Sequence, residues 1–254
     1  MEPSDVSGIR ALVTGASSGI GRATAVLLAE RGARVLGTGR DEKRLAALQR
    51  ESPGVRVLAG DLKREAFRER AVAETVGTFG GLDLLVNAAG VIGFGSWEET
   101  NLEAWDAMLD VNLRSVYALT RHALPHLVES RGAVVNVSSV TGTRAFPGVL
   151  AYCVSKAALD QLTRCLALEV GPKGVRVNAV NPGVVRTNLH RAGGMESASY
   201  EAFLERSKGT HPLGRVGEPA EVAAAIAFLG SREAAWITGE TLAVDGGRGQ
   251  TCAR

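Results

Sequence analysis

The sequence is short of several things, and each shortage removes a class of function. Aromatic residues make up 5% of the 254 residues, and 29 Lys and Arg face 27 Asp and Glu for a net charge of +2. No run of like charge stands out, so the basic face and stacking aromatics of a nucleic-acid binder are missing. The three cysteines, Cys153, Cys165 and Cys252, lack metal-ligand spacing, and an odd number argues against a disulfide framework. No apolar run approaches the ~18 residues of a membrane span. Met1 to Arg10 carries Glu2 and Asp5 in place of an apolar signal segment. The expectation is a soluble, cytoplasmic protein in a reducing compartment, without nucleic-acid or membrane partners. Internal repeats and low-complexity stretches are also lacking.

What is present is a large apolar share, 45%, enough for one substantial core. Apolar, β-branched runs recur at Ile9 to Val13, Arg34 to Gly37, Val55 to Ala59, Leu82 to Val86, Ala133 to Val137, Val175 to Val180 and Thr241 to Val244. Helix-period stretches separate most of them. This alternation predicts a single α/β domain over 1–254: a Rossmann-type, doubly wound, seven-stranded parallel sheet with helices on both faces. Thr100 and Glu103 suggest a capping box before a helix from Leu102, Gly171-Pro172 closes the helix that holds Tyr152, and Pro219 opens another. Residues 188–213 interrupt the alternation and are expected to form a lid.

Thr14-Gly-Ala-Ser-Ser-Gly-Ile-Gly21 follows the first strand and opens a helix. Gly15, Gly19 and Gly21 let the backbone approach a pyrophosphate, with Ser17, Ser18 and Ile20 between them and the N–H donors of the helix N-terminus behind. The spacing differs from the G-x-G-x-x-G fingerprint, so corroboration is needed. At the end of the second strand, Thr38-Gly39-Arg40 offers a guanidinium where an NAD site would have an acid. NADP(H) is therefore favoured over NAD(H). Asp41 is the counter-indication, unless it caps the helix from Glu42. Asp61 and its neighbour Leu62, after the third strand, are candidates for the adenine, with an ordinary strand-end turn a close second reading. Asn87-Ala88-Ala89-Gly90 leaves room for a flat cofactor, with Asn87 tying strand ends together.

Tyr152 and Lys156 leave one face of one helical turn. A tyrosine pKa near 10 must fall for proton exchange at neutral pH, and an ammonium plus a positive nicotinamide ring can lower it by ~2 to 3 units. Ser139 and its neighbour Ser138 compete to polarise a carbonyl, since strand alternation sends them to opposite faces. Asn112, a poor helix former mid-helix, suggests an amide that holds a water or a backbone carbonyl near Lys156. Three tyrosines among 254 residues make an accidental Tyr-x-x-x-Lys a chance of about 0.06 per chain.

Together with Asn181-Pro182-Gly183 and Thr187, these motifs resemble the short-chain dehydrogenase/reductase family over Arg10 to Gly247. The resemblance implies that Ser139 orients the carbonyl or alcohol, Tyr152 is the general acid/base, Lys156 binds ribose and depresses the tyrosine pKa, and Asn112 anchors a relay water. It further implies that Val185 and Thr187 hold the carboxamide and that Pro182-Gly183 forms the nicotinamide wall. Ile237 to Gly247 is similar to the 3-oxoacyl-[acyl-carrier-protein] reductase branch and its sugar- and steroid-active relatives, commonly homotetramers.

Pocket candidates are Phe94, Phe146, Val149, Leu150, Met195, Tyr200 and Phe203, suggesting a hydrophobic carbonyl compound. Arg131 and Lys173 are a sparse basic rim for an acyl carrier. His122 and His126, without a carboxylate in company, do not suggest a metal site. Cys153 reads as packing, and Trp97, Trp105 and Trp236 as core or interface. The leading expectation is an NADP(H)-dependent ketone reductase working on a small molecule, 3-oxoacyl thioesters, steroids, quinones and sugars all remaining open. The alternatives are an NAD(H)-using hydroxysteroid, sugar or polyol dehydrogenase, a non-catalytic NADP(H) sensor, and an epimerase or dehydratase.

Overall fold

A computed structural model describes residues 5–251; Cys252 lies outside them. Seven parallel strands form one sheet in the order β3-β2-β1-β4-β5-β6-β7. They are β1 (Arg10–Val13), β2 (Arg34–Gly39), β3 (Val55–Ala59), β4 (Leu84–Asn87), β5 (Ala133–Val137), β6 (Arg176–Pro182) and β7 (Thr241–Val244). Burial follows strand alternation: Ala11 and Val13 enter one core with Leu28, Leu45 and Ile226, while Leu12 enters the other with Val72, Leu119 and Leu127. Helices α1 (Gly19–Glu30), α2 (Glu42–Glu51) and α9 (Pro219–Gly230) supply the first core, and α3 (Glu65–Phe79), α5 (Ser115–Ser130) and α6 (Leu150–Val170) the second. The chain winds outward from β1 in one direction and from β4 in the other. A crevice at the carboxyl ends of these two strands follows from that reversal.

One helix start differs from the sequence reading. The cap of α4 (Leu102–Leu109) is Asn101, which accepts from the Ala104 N–H at 2.8 Å; the Thr100 hydroxyl instead donates to the Ser96 carbonyl at 2.7 Å. A π-helical turn, Asp110–Arg114, then joins α4 to α5 with buried Asn112 inside it. Such turns recur at functional sites because the widened turn re-aims side chains. Helix α9 carries the capping box, Glu218 with Glu221. Residues 188–213 contain α7 (Leu189–Ala192) and α8 (Ser197–Lys208).

Trp97 is 80% exposed and Trp236 fully exposed, so neither is core, whereas Trp105 packs against the cluster containing Ile92, Met108 and Tyr152.

Candidate active site

A cavity of about 1400 Å³ opens at the carboxyl ends of the strands and runs from the glycine turn to α8. Gly15, Ser17, Ser18, Gly19, Ile20 and Gly21 form one end of its wall. At Gly15, with φ 69°, a Cβ would lie 2.8 Å from the Ala88 carbonyl oxygen and the Ala89 nitrogen. At Gly21 a Cβ would meet the Gly15 oxygen at 2.5 Å, so any side chain at either position would force the turn open. Thr14 Oγ1 accepts from the N–H groups of Ala88 and Ala89 at 3.0 Å each, which fastens the turn to the end of β4. Ser18 starts α1 without a side-chain cap, leaving first-turn donors for a phosphate.

Arg40, Asp61 and Leu62 line the same end, as do Arg44 and Lys63, two cations that sequence reasoning did not select. Asp41 accepts from the Arg44 N–H at 3.0 Å as the cap of α2, and Arg44 Nε stands 3.2 Å from its other oxygen. The helix cap thus accounts for Asp41. Asp61 also closes a turn, accepting from the Lys63 N–H at 3.0 Å. Ala88, Ala89 and Gly90 line the cavity, but the Asn87 side chain does not. It is buried and donates to Asn136 Oδ1 at 2.9 Å and Thr120 Oγ1 at 3.2 Å, while Asn136 donates to Thr163 Oγ1 at 2.9 Å. As expected from the sequence, its amide ties strand ends together, here β4, β5 and the helices behind them.

Midway along, Ser139, Tyr152 and Lys156 share the wall. Ser139 Oγ accepts from the Thr141 N–H at 3.1 Å, and its hydroxyl is close enough to Tyr152 to favour the tyrosinate, whereas the Ser138 hydroxyl donates to the Lys156 carbonyl at 3.3 Å. Both serines line the cavity, but the Ser138 hydroxyl is spent on the Lys156 carbonyl, which leaves the Ser139 hydroxyl to face Tyr152. Lys156 Nζ donates to the Val137 carbonyl at 2.8 Å and lies 5.8 Å from the Tyr152 ring centre. Burial pushes the Tyr152 hydroxyl up to about 12, opposed by the neighbouring Ser139 hydroxyl, and brings the Lys156 ammonium down to about 8, opposed by Asp160. The expected depression of the tyrosine pKa is therefore not a property of these side chains alone, because here desolvation is the largest effect.

Asp160 was missed, although Tyr152, Lys156 and Asp160 repeat at four-residue spacing along one face of α6. It is buried, accepts from Asn181 Nδ2 at 2.8 Å, and is pushed up by burial. Asn112 stands across Gly90 from Lys156, where a Gly90 Cβ would sit 3.4 Å from its oxygen and 3.6 Å from Lys156 Nζ. Its amide clasps Val91, accepting from that N–H and donating to that carbonyl at 2.9 Å each, and also donates to Ser155 Oγ at 3.0 Å. The side chain thus holds backbone and does not line the cavity.

Pro182, Gly183, Val185 and Thr187 line the far wall. His211, another residue without a sequence signal, accepts the Val184 N–H on Nε2 at 3.1 Å and donates from Nδ1 to the Ser207 carbonyl at 2.7 Å. Tyr200 is corrected as a substrate contact. Its hydroxyl donates to the Thr187 carbonyl at 2.7 Å and accepts the Thr187 N–H at 3.1 Å, and the side chain is buried away from the cavity.

Phe94, Phe146, Val149, Met195 and Phe203 do line the cavity, but Leu150 does not, and the expectation of an apolar end is corrected by Arg144, Arg206, Arg248 and His190. The His190 ring lies 4.7 Å from Phe203 and 6.4 Å from Phe94; burial pushes its pKa down, and its Nδ1 has no hydrogen-bond partner among the described residues. Arg131 and Lys173, the supposed carrier rim, precede the starts of β5 and β6, so they lie at the opposite end of the sheet. Cys153 sits beside the Phe146 carbonyl at 3.9 Å, a packing position. His122 does have carboxylate company, Glu65 at 2.6 Å with Glu69 nearby. Glu65 is already engaged by both Arg68 and His122 on an exposed surface.

Among the described residues no helix is long and apolar enough to cross a membrane. A family model described as enoyl-(acyl carrier protein) reductase matches residues 15–248. The chain is 41% identical over 244 residues to L-xylulose reductase of Homo sapiens, covering 95% of this chain and 97% of that one. It is 36% identical over 242 residues to a 3-oxoacyl-[acyl-carrier-protein] reductase of Thermotoga maritima, covering 93% and 96%. A short-chain dehydrogenase/reductase of unknown function from Caenorhabditis elegans, solved with cofactor, superposes with a TM-score of 0.92 at 35% identity over 97% of both chains. With its parallel sheet, glycine turn and Tyr152/Lys156 pair, the chain belongs to the short-chain dehydrogenase/reductase family, oxidoreductases of CH–OH and C=O groups.

Proposed function

We propose that this protein is an NADP(H)-dependent reductase of a ketone, and a secondary-alcohol dehydrogenase in reverse. One observation carries this reading: Ser139, Tyr152 and Lys156 share a cavity wall with Arg40, Arg44 and Lys63 at its other end. The tight cradle at Gly15 and Gly21 and the uncapped start of α1 suit a pyrophosphate. The arginines suit an added 2′-phosphate. When bound, the cofactor supplies or accepts the hydride. Thr187 and the Val185 backbone would hold its carboxamide, and Lys156 its ribose.

The Ser139 hydroxyl hydrogen-bonds the substrate oxygen and orients it toward Tyr152. With its pKa pushed up to about 12, the Tyr152 hydroxyl holds its proton at neutral pH and is ready to donate it to that oxygen. Alcohol oxidation requires the tyrosinate, so its rate rises with pH. Asn112 acts on this chemistry by fixing Val91 and bordering Lys156, a positioning role. Residues 188–213 act as the lid.

The apolar groove of α4, α5 and α6 that includes Leu113, Tyr117 and Leu162 suits a second copy of the chain in a homotetramer. A polar substrate such as a sugar or polyol is the second reading, favoured by His190 among the aromatic side chains.

NADPH and NADH oxidation, measured in parallel over ketones, sugars, quinones and 3-oxoacyl thioesters, tests the proposal. Turnover with NADPH that Tyr152→Phe abolishes is expected. Tight nucleotide binding with no hydride transfer to any of them would instead favour a sensor.

A further inference from the structure

The substrate end of the cavity carries more positive charge than carbonyl reduction needs. Arg144, Arg206 and Arg248 line it, whereas the acidic lining residues, Asp41 and Asp61, lie at the glycine-turn end. The three arginines come from separate pieces of chain: the loop between β5 and α6, helix α8, and the segment after β7. Arg144 Nη1 donates to the carbonyls of Arg248 at 3.1 Å, Gly249 at 3.3 Å and Thr251, while no bond of its Nε or Nη2 is found among the described residues. The Arg248 guanidinium is buried 5.0 Å from the Phe146 ring centre and donates to the Thr210 carbonyl at 3.4 Å. Asp245 attracts Arg248 but does not line the cavity, and its oxygens accept the N–H groups of Gly247 at 2.9 Å and Gly249 at 2.6 Å. Arg206 is exposed and forms no ion pair among the described residues; its neighbour Glu205 pairs with Lys208 at 2.5 Å.

Backbone carbonyls and an aromatic face hold Arg144 and Arg248 together despite their mutual repulsion. All three arginines line the cavity among Phe146, Met195 and Phe203, where screening is weaker than in open water. A planar guanidinium matches the two oxygens of a carboxylate or phosphate. We propose that the substrate of this reductase carries an anionic group, a carboxylate or phosphate, held by Arg144, Arg206 and Arg248 while its carbonyl faces Ser139 and Tyr152. This inference rests on the carbonyl-reductase reading above.

The test compares NADPH oxidation with 3-, 4- and 5-oxo acids of five to eight carbons against their methyl esters, and with dihydroxyacetone phosphate against dihydroxyacetone. The anionic member of at least one pair should show about tenfold higher kcat/KM than its neutral partner. Arg206→Gln, at an exposed position where the fold does not depend on the side chain, should erase most of that preference through KM while leaving kcat and the melting temperature unchanged. Arg248→Lys should retain part of it. The preferred pair identifies carboxylate or phosphate. Equal or better use of the neutral partners overturns the proposal, as does a preference that neither variant alters. Reduction of neutral ketones or sugars alone also overturns it, while leaving the reductase reading intact. If NADPH binds but no carbonyl of either kind is reduced, the reductase reading itself fails.

Discussion

The two ends of the cavity are built differently. At the glycine turn the wall is mostly backbone and small residues at the ends of sheet strands: Gly15, Gly19, Gly21, Ala88, Ala89 and Gly90. At the other end it is side chains on loops and short helices, where Phe94, Phe146, His190, Phe203, Arg144 and Arg206 meet from four separate stretches of chain. The first end recognises what every member of a cofactor class shares, and its geometry tolerates almost no change. The second is assembled from loop and helix side chains, and substitution at its exposed members is structurally cheap because loops carry less of the core.

The largest expected effects lie where the two ends meet. Tyr152→Phe should lower kcat by about a thousandfold with nucleotide affinity nearly unchanged, as loss of a general acid does. Stopped-flow hydride transfer separates this from a binding defect. Close behind, Gly15→Ala should abolish NADPH binding, read by fluorescence titration, because the new Cβ meets Ala88 and Ala89 at 2.8 Å in a left-handed turn. If it bound NADPH normally, the contrast between a rigid and a tolerant end would collapse.

A smaller effect is expected at Arg40. Arg40→Ala should raise the KM for NADPH about tenfold and leave that for NADH unchanged, a 2′-phosphate effect alone. An unchanged cofactor preference would sink the phosphate assignment. Smaller again is the consequence of burying Lys156. Its pKa falls to about 8 in the folded chain, below the ordinary lysine value, so folding disfavours the ammonium. That cost is complete below pH 8 and fades as pH rises toward 10.5, where the unfolded lysine also loses its proton. Lys156→Met should therefore abolish turnover yet raise the stability of the cofactor-free protein at pH 7 by about 1–2 kcal/mol. Denaturant titrations at pH 7 and pH 10 should show the gain shrinking at the higher pH. Tyr152 acts in the opposite sense: its raised pKa stabilises the fold below pH 10, and this is lost as pH climbs through about 12. The smallest change is expected from His190→Phe at the tolerant end, altering KM for polar substrates by several-fold without moving nucleotide affinity or melting temperature.

Legibility in the sequence followed the same division. The strands were readable because a parallel sheet covered on both faces needs continuous β-branched runs, and Val55–Ala59, Ala133–Val137 and Thr241–Val244 agree residue for residue with the expected ranges. Gly15 to Gly21 and Tyr152/Lys156 were readable because each is a local arrangement, one turn of backbone and one turn of helix. Tyr200 was misplaced because a side chain's direction depends on partners beyond its own turn: Thr187 is 13 residues away across a loop. Asp160 was the one missed residue with a local signal, four positions beyond Lys156.

By itself, then, the sequence determined the doubly wound sheet, the nucleotide turn and the tyrosine–lysine pair, since each follows from short-range periodicity and steric limits of the backbone. Only the tertiary structure decided that Asp41 caps a helix and leaves Arg40 to the cavity, that Tyr200 and His211 brace the far wall, and that three arginines converge on the substrate end. The physical reason is that charge and hydrogen bonding act through space. Residues 144, 206 and 248 share no pattern along the chain, and their common field exists only after the sheet has brought their loops to one end.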